Sequence, residues 1–284
     1  MLDALPGRLG LPWPQGEIAV LTAFLGVCVG SFLNVVVWRV PREESVLWPP
    51  SHCPRCGTLL TWFENIPVLS WLVLRGRCRH CQAPIRRRYP TVELLCSGLW
   101  VLMLFAQPDA MGPHPARPLL WLAGGMFGSL LLLLALIDGD QLWIPEPLCR
   151  WGVVAGWLVT AGLGWHQSPA MARTLLASHL VGAAAGLVGF EALAALAARC
   201  MGRPALGSGD AKVGALLGAW LGPLGLAFAV IQAVLVAALV GGLGLLSGLL
   251  KRHQPIPFVP FLALGGGVVW WTGVAPWQNW WLGR

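Results

Sequence analysis

The sequence predicts an all-α, polytopic membrane protein with about eight transmembrane helices and a small polar insert between the first two. Apolar residues make up 56% of the 284 residues and charged residues only 11%, whereas soluble domains contain roughly 25% charged residues. A soluble core does not need so much apolar sequence, but a lipid-covered surface does. We therefore expect three parts: residues 1–38 with the first helix, the insert at 39–91, and a helical membrane domain at 92–284.

Eight apolar runs are long enough, at about 20 residues each, to be read as transmembrane helices. The break between the sixth and seventh runs rests only on Gly222-Pro223, and the start of the last rests on Pro255–Pro260. The first run is expected to remain as a helix, because residues 1–17 contain one basic residue, Arg8, and no small-residue cleavage site follows. The runs lie near residues 18–38, 92–108, 118–136, 148–165, 175–199, 211–228, 229–250 and 256–275.

The distribution of Lys and Arg sets the expected orientation. With eight helices and the N-terminus in the periplasm, 15 of the 19 Lys and Arg residues lie on the cytoplasmic side, nine of them in 39–91. The positive-inside rule favours this orientation. It also accounts for the net charge of +7, so nucleic-acid binding is not expected. The 17 tryptophans suit the two membrane–water interfaces, where their rings contact lipid headgroups.

The insert contains two C-x-x-C motifs, and 21 residues separate them. Each motif can point two sulfurs at one spot, and two such pairs complete a tetrahedral thiolate site for a structural Zn²⁺ ion. Cytoplasmic thiols stay reduced, which favours a metal over disulfides. A segment of this size also has too little core to fold alone. The predicted ligands are Cys53, Cys56, Cys78 and Cys81.

Two histidines next to these motifs, His52 and His80, are alternative ligands. Four thiolates would already fill a tetrahedral site and leave no position for a substrate. The remaining cysteines have no paired spacing and are interpreted as small packing residues. They are Cys28, Cys96, Cys149 and Cys200.

Two acidic clusters lie at the ends of apolar runs on the same predicted side of the membrane. One is Asp138-Gly139-Asp140, and the other is the stretch Gly207–Lys212, which contains Asp210. Carboxylates are costly at such positions and usually serve a function. The alternative is that each aspartate simply caps a helix end. Lys212 is expected either to keep Asp210 ionised or to reach lipid phosphates.

Two carboxylates in a low-dielectric site tend to share one proton, so that one can activate water while the other polarises a carbonyl group. G-x-S-x-G and H-E-x-x-H motifs are absent from the sequence. Gly207 and Gly209 are expected to permit close approach of another chain and unusual backbone dihedrals. These residues favour an aspartyl protease. The alternative is an ion-coupled transporter with the aspartates and Glu191 as ion ligands.

The chain closely resembles the type IV prepilin leader peptidases of bacterial pilus and type II secretion systems. The shared sequence motifs occur in the same order through most of its length and begin with Gly30–Pro41 and Ser51–Cys56. They continue through Glu64–Leu72, Gly76–Cys81, Arg88–Leu95, Ile137-Asp138, Ile144-Pro145, Gly207–Lys212 and Ile256–Phe258. The departures are modest: Val213 and Val259 stand where the family often has Leu and Gly.

The resemblance implies an intramembrane aspartyl protease of the inner membrane that cleaves prepilins or pseudopilins on the cytoplasmic side. The family's first aspartate stands seven residues before the proline of its I/L-P pair, which selects Asp138 over Asp140. The second is the aspartate of G-x-G-D, Asp210. Asp140 is then a helper or a solvated neighbour. The oligomeric state does not follow from the sequence.

The resemblance also implies N-methylation of the new N-terminus with S-adenosylmethionine, in the half that contains the first helix and the insert. The residues alone do not predict this activity, since no G-x-G-x-x-G motif is present. Glu93, at the cytoplasmic edge of the second predicted helix, is a candidate for holding or deprotonating the amine. The alternative is a structural ion pair between Glu93 and Arg86–Arg88.

Overall fold

A computed structural model describes residues 15–105, 117–202, 207–251, 254–281 and 283. These residues form helices, with two isolated β-bridges in the insert, which confirms the predicted all-α class. The chain divides into two compact units, Met1–Phe105 and Ala106–Arg284. The helices are α1 (Gln15–Arg39), α2 (Leu69–Val73), α3 (Arg88–Met103), α4 (Arg117–Gln141), α5 (Glu146–Trp165), α6 (Pro169–Met201), α7 (Ser208–Leu246), α8 (Val259–Thr272) and α9 (Ala275–Trp281).

The helices of the described part are those of a multi-pass membrane protein. Four of them, α1, α4, α6 and α7, are long and apolar enough to cross a bilayer. A fifth crossing results if α8 and α9, which meet at a bend of 99°, count as one broken span. This number is lower than the predicted eight because α3 has only 16 residues, α5 is not apolar enough although it has 20 residues, and α7 joins two predicted runs. Arg8, Arg203, Arg252 and Arg284, which entered the orientation argument, lie outside the described residues.

Helix α7 is interrupted at one position inside its 39 residues. Gly222 has φ 68° and ψ −179°, and Pro223 follows it. Proline lacks the N–H that would continue the helix, and glycine accepts the positive φ at low cost. The break between the sixth and seventh predicted runs therefore falls at residue 222 and not at 228. The first half of α7 carries Asp210.

In the first unit, two glycines bring α1 close to α3. A Cβ atom on Gly26 would lie 2.6 Å from Cα of Ser97, and one on Gly30 would lie 2.7 Å from Cα of Glu93. Small residues four positions apart let helix backbones approach in membranes, where helices gain no hydrophobic energy from each other. The Ser97 hydroxyl adds a hydrogen bond of 3.0 Å to the carbonyl of Ala23.

In the second unit, four glycines form a reciprocal contact between α6 and α7. A Cβ on Gly186 would lie 2.2 Å from the carbonyl oxygen of Gly214, and one on Gly218 would lie 2.1 Å from that of Gly182. The pairing of 182 with 218 and of 186 with 214 shows that the helices run antiparallel. No side chain separates the two backbones here, so this contact fixes the position of the first half of α7.

An aromatic cluster packs on the opposite face of that half-helix. Phe127 of α4 stacks on Trp220 of α7 with ring centroids 4.7 Å apart, and Trp270 of α8 contacts both rings. The Trp220 indole N–H donates a 2.8 Å hydrogen bond to the carbonyl of Gly152 in α5. Trp220 and Trp270 are buried, so at least these two tryptophans form core and not the interfacial belts that composition suggested.

Candidate functional site

Asp138 lies one turn before the end of α4 and is only 7% exposed. Its Oδ2 accepts a 3.1 Å hydrogen bond from the backbone N–H of Val259, the first residue of α8. The first N–H groups of a helix have no partner inside the helix and carry partial positive charge. Asp138 therefore binds the N-terminus of another helix and does not cap its own. Val259 directly follows the shared motif Ile256–Phe258, but nothing in the sequence predicts its contact with Asp138.

Asp210 is the third residue of α7 and is 8% exposed. Its Oδ2 accepts a 3.1 Å hydrogen bond from the backbone N–H of Gly207, which closes the first turn of the helix. The capping interpretation of Asp210 therefore describes a real hydrogen bond. Capping does not require burial of the carboxylate, however, and exposed aspartates cap helices equally well.

The two buried carboxylates, Asp138 and Asp210, lie close enough to interact electrostatically. Asp140, two residues further along α4, is exposed. Among the described residues, one oxygen of each buried carboxylate accepts a backbone hydrogen bond. The second oxygen of each remains for water or substrate. A site that excludes bulk water makes it costly to ionise both groups together.

A close contact explains why residue 209 is a glycine. A Cβ atom there would lie 2.8 Å from Cγ1 of Ile144, in the segment between α4 and α5. The glycine thus lets the start of α7 approach the chain that follows Asp138. Gly207 differs: its φ of −78° and ψ of 149° suit any residue, and a Cβ would meet Oδ2 of Asp210 at 3.7 Å and the backbone nitrogen of Gly209 at 3.9 Å, both ordinary contact distances. The expected unusual dihedrals are therefore not found at Gly207.

Lys212 forms an ion pair that the sequence analysis missed. Its Nζ lies 3.1 Å from Oε2 of Glu146, the first residue of α5. Both side chains are partly exposed, so the pair contributes little stability, on the order of 0–1 kcal/mol. Its effect is geometric, since it ties the start of α7 to the start of α5 beside the two aspartates. Glu191, the charge predicted within an apolar run, lies exposed on α6.

The four cysteines of the insert form one cluster, with all four Sγ atoms within 4.8 Å of one another. Sγ of Cys53 and Sγ of Cys81 are 3.8 Å apart. A tetrahedral ion with Zn–S bonds of about 2.3 Å requires sulfur separations of about 3.8 Å. The cluster can therefore hold a metal ion with little rearrangement. Cys53 and Cys78 are buried, and Cys56 and Cys81 are exposed.

The two motifs have the same backbone hydrogen bonds. The N–H of Cys53 donates to the carbonyl of Thr58, and the N–H of Cys78 donates to that of Ala83, at 3.0 and 2.9 Å. In each motif the residue four positions after the first cysteine has positive φ: Gly57 in one and Gln82 in the other. Repetition of one turn thus brings two sulfur pairs to the same spot.

Hydrogen bonds in these turns favour the metal-binding thiolate form at Cys56 and Cys78. The side chain of Thr58 lowers the pKa of Cys56 to about 6, and backbone hydrogen bonds from Cys81 and His80 lower the pKa of Cys78. At Cys81 the Ala83 backbone hydrogen bond is outweighed by desolvation and the neighbouring sulfurs, which raise the pKa to about 11. The two histidines have other contacts: His52 Nδ1 lies 3.1 Å from the carbonyl of Pro50, and His80 Nε2 lies 3.7 Å from Glu64 Oε1. One ring nitrogen of each histidine thus contacts a group outside the sulfur cluster.

Glu93 is buried between α1 and the insert. It accepts a 2.7 Å hydrogen bond from the backbone N–H of Val68, and the Ser31 side chain lies nearby. Val68 has φ 60°, which is unfavourable for a β-branched residue. The sequence suggested an ion pair between Glu93 and Arg86–Arg88, and it did not predict the contacts of Glu93 with Val68 and Ser31. A cavity of about 330 Å³ in the same unit is lined by Ser31, Arg39 and Asn65.

The fold and these sites define a helical membrane protein with a buried aspartate pair in one unit and a four-cysteine cluster in the other. Residues 24–107 match the bacterial peptidase A24 N-terminal domain, and residues 125–246 match the type IV leader peptidase family. The chain belongs to the type IV leader peptidase family. The resemblance inferred from the sequence is thereby confirmed.

Several named relatives match over most of this chain. A prepilin leader peptidase/N-methyltransferase of Myxococcus xanthus is 40% identical over 86% of this chain and 67% of its own length. The enzyme of the same name from Aeromonas hydrophila is 35% identical over 94% and 95%. A type 4 prepilin-like proteins leader peptide-processing enzyme of Escherichia coli is 34% identical over 87% and 91%. No solved structure matches, and nothing in these similarities supports the transporter alternative.

Proposed function

We propose that this protein is a prepilin peptidase that cleaves the leader from type IV prepilins or type II secretion pseudopilins, with Asp138 and Asp210 as its catalytic pair. The observation that carries the proposal is the burial of these two carboxylates within electrostatic reach of each other. Relatives that are 34–40% identical have names that specify prepilin leader processing.

In the proposed mechanism, the two aspartates share one proton. The ionised carboxylate accepts a proton from water as the water attacks the scissile carbonyl, and the protonated one donates a hydrogen bond to the carbonyl oxygen. The Val259 and Gly207 N–H groups hold one oxygen of each aspartate. In this mechanism the two backbone hydrogen bonds leave the other oxygen of each aspartate directed toward the substrate. The Lys212–Glu146 pair holds the starts of α7 and α5 together beside the aspartates.

The proposal includes an orientation of the protein in the membrane. We place the insert and both aspartates at the cytoplasmic face of the inner membrane, as the excess of Lys and Arg indicates. A prepilin would then keep its basic leader in the cytoplasm and its apolar stem in lipid, beside α4 and α7. The protein would release the leader and leave the mature chain in the membrane.

We further propose that the four cysteines hold a structural Zn²⁺ ion and that the first unit N-methylates the cleaved product. The 3.8 Å separation of Cys53 and Cys81 sulfurs fits zinc. S-adenosylmethionine supplies the methyl group when bound, and the cavity of about 330 Å³ is in the size range of small-molecule sites. Ser31 lines the cavity and contacts Glu93, which would orient the amine and accept its proton.

Mass spectrometry of a pilin N-terminus tests cleavage and methylation together. Purified protein in lipid nanodiscs is incubated with a prepilin and S-adenosylmethionine. Asp138→Asn and Asp210→Asn should each lower cleavage by about 10³-fold or more, the loss typical of a catalytic group. Methylation of an already cleaved peptide should continue in both variants, because it takes place in the other unit.

Two further variants sharpen this test. Glu191→Gln removes an exposed carboxylate from the same unit and serves as the matched control, with cleavage close to wild type. Asp140→Asn should also retain cleavage, since Asp140 is exposed. Full processing by Asp138→Asn or Asp210→Asn would exclude the two-aspartate mechanism. Loss of cleavage in Asp140→Asn but not in Asp138→Asn would move the catalytic role to Asp140.

A further inference from the structure

The break in α7 leaves one buried carbonyl without its helical donor. In a continuous helix the carbonyl of Ala219 would accept from the N–H of residue 223, but that residue is Pro223 and has no N–H. Ala219 is fully buried. An unpaired carbonyl in a lipid-covered interior is costly, because no water is present to replace the lost donor.

A histidine on the neighbouring helix supplies the missing donor. Nδ1 of His179, on α6, lies 3.0 Å from the carbonyl oxygen of Ala219 and 3.2 Å from the hydroxyl of Thr160 on α5. The carbonyl can only accept, so Nδ1 must carry the proton. The ring also lies against the break itself, since a Cβ on Gly222 would be 3.4 Å from its Nε2. His179 and Thr160 are both buried.

This contact lies where the first half of α7 ends, and Asp210 lies near the start of that half. Gly222 lies twelve positions after Asp210, which corresponds to about 18 Å along a helix. Over that length, a tilt of about 5° would move Asp210 by about 1.5 Å, and a misplacement of about 1 Å can cost 100-fold in rate. The angle at the break therefore matters for the catalytic pair.

We propose that His179 is a positioning residue, which holds the angle of the first half of α7 by hydrogen-bonding the carbonyl that Pro223 leaves unpaired. His179 does not touch the reacting atoms. Its effect on cleavage rests on the proposed peptidase function, whereas the hydrogen bond itself can be tested without any substrate. The Gly182–Gly218 and Gly186–Gly214 contacts keep the two helices close, and His179 sets their alignment at the break.

Replacement of His179 should separate the rate of cleavage from substrate recognition. His179→Leu keeps an apolar side chain of similar size but removes the donor, and should lower kcat for prepilin cleavage about tenfold with little change in KM. His179→Asn should stay within about twofold of wild type, since its amide nitrogen can occupy the position of Nδ1. Methylation of a cleaved peptide should be unchanged. His166→Leu, at an exposed histidine after α5, is the matched control.

The decisive experiment combines His179→Leu with Pro223→Ala. Alanine restores an N–H at residue 223, which can bond the Ala219 carbonyl once Gly222 relaxes toward a helix. His179→Leu should then cost little in the Pro223→Ala background, so the two substitutions should be strongly non-additive in the thermal unfolding midpoint and in kcat. Additive losses would overturn the proposal, as would equal losses for His179→Leu and His179→Asn.

The design also covers two other results. If His179→Leu does not accumulate, His179→Gln replaces it, because the glutamine amide reaches the position of Nε2 and not that of Nδ1. Loss of cleavage in His179→Gln with retention of cleavage in His179→Asn supports the proposal. Equal cleavage by the two variants refutes it. If wild-type protein does not cleave prepilin, the peptidase proposal fails by itself. The unfolding cycle would still decide whether His179 bonds Ala219.

Discussion

The two candidate sites, one in each unit, are built in opposite ways. In the insert, each C-x-x-C motif closes its own turn by backbone hydrogen bonds between residues at most five positions apart. In the second unit, Asp138 is held by Val259, 121 residues away, and the start of α7 is placed by glycines of α6. The four-cysteine cluster is thus mainly a product of local sequence, and the aspartate pair is a product of helix packing.

This difference implies that the two sites fail in different ways. A metal site formed from short turns loses its cohesion when one ligand or the ion is removed, since little core remains. A site formed by packed helices keeps its secondary structure after a substitution, but its groups move relative to each other. Three experiments, in order of expected effect, test this contrast.

Loss of the metal should have the largest effect. Cys53→Ser should release zinc and unfold the insert, because structural zinc sites contribute about 10–16 kcal/mol of apparent binding free energy. Elemental analysis and limited proteolysis of residues 39–91 measure the outcome. Cys28→Ser, at a cysteine outside the cluster, is the control. Wild-type protein that contains no zinc after purification would contradict the assignment, and so would Cys53→Ser protein that keeps a full zinc content.

A single methyl group at the contact between α6 and α7 should have a moderate effect. Gly186→Ala places a Cβ 2.2 Å from the Gly214 carbonyl oxygen, so the helices must separate, at a cost of about 1–3 kcal/mol. Gly189→Ala is a close control, because a Cβ at Gly189 meets nothing within 4 Å. The thermal midpoint and cleavage should fall for Gly186→Ala only, with zinc content unchanged. Equal behaviour of the two variants would show that this contact does not position α7.

The smallest effect is expected at Gln82, which has a φ of 57° where the other motif has Gly57. Left-handed backbone costs most residues roughly 1–2 kcal/mol, and glycine avoids this cost but loses some of the gain to unfolded-state entropy. Gln82→Gly should therefore stabilise the insert slightly, by about 0.5–1 kcal/mol. Retention of zinc in the presence of a chelator measures the stability of the insert. The opposite change at the matching position of the other motif, Gly57→Gln, should weaken zinc retention. Weaker retention in Gln82→Gly would show that its side chain contributes more than its backbone costs.

Much of the secondary structure could be predicted from hydrophobic runs and charge. The first five apolar runs each correspond to a helix, α1, α3, α4, α5 and α6. The boundary between the runs at 211–228 and 229–250 is poorly defined in the sequence, because only Gly222-Pro223 interrupts their apolar composition. Fewer of the described helices than the predicted eight are long and apolar enough to cross a bilayer by themselves, since α3 and α8 are too short and α5 is not apolar enough.

The sequence by itself determined the candidate chemical groups: four cysteines in two matching C-x-x-C motifs, two aspartates at the ends of apolar runs, and Lys and Arg residues concentrated in the segments between those runs. These features are local, so covalent spacing is enough to reveal them. Only the tertiary structure decided which distant groups meet, namely Val259 with Asp138, Glu146 with Lys212, and His179 with the Ala219 carbonyl. Such contacts depend on how closely helix backbones approach, and that is set by glycines whose partners no sequence spacing identifies.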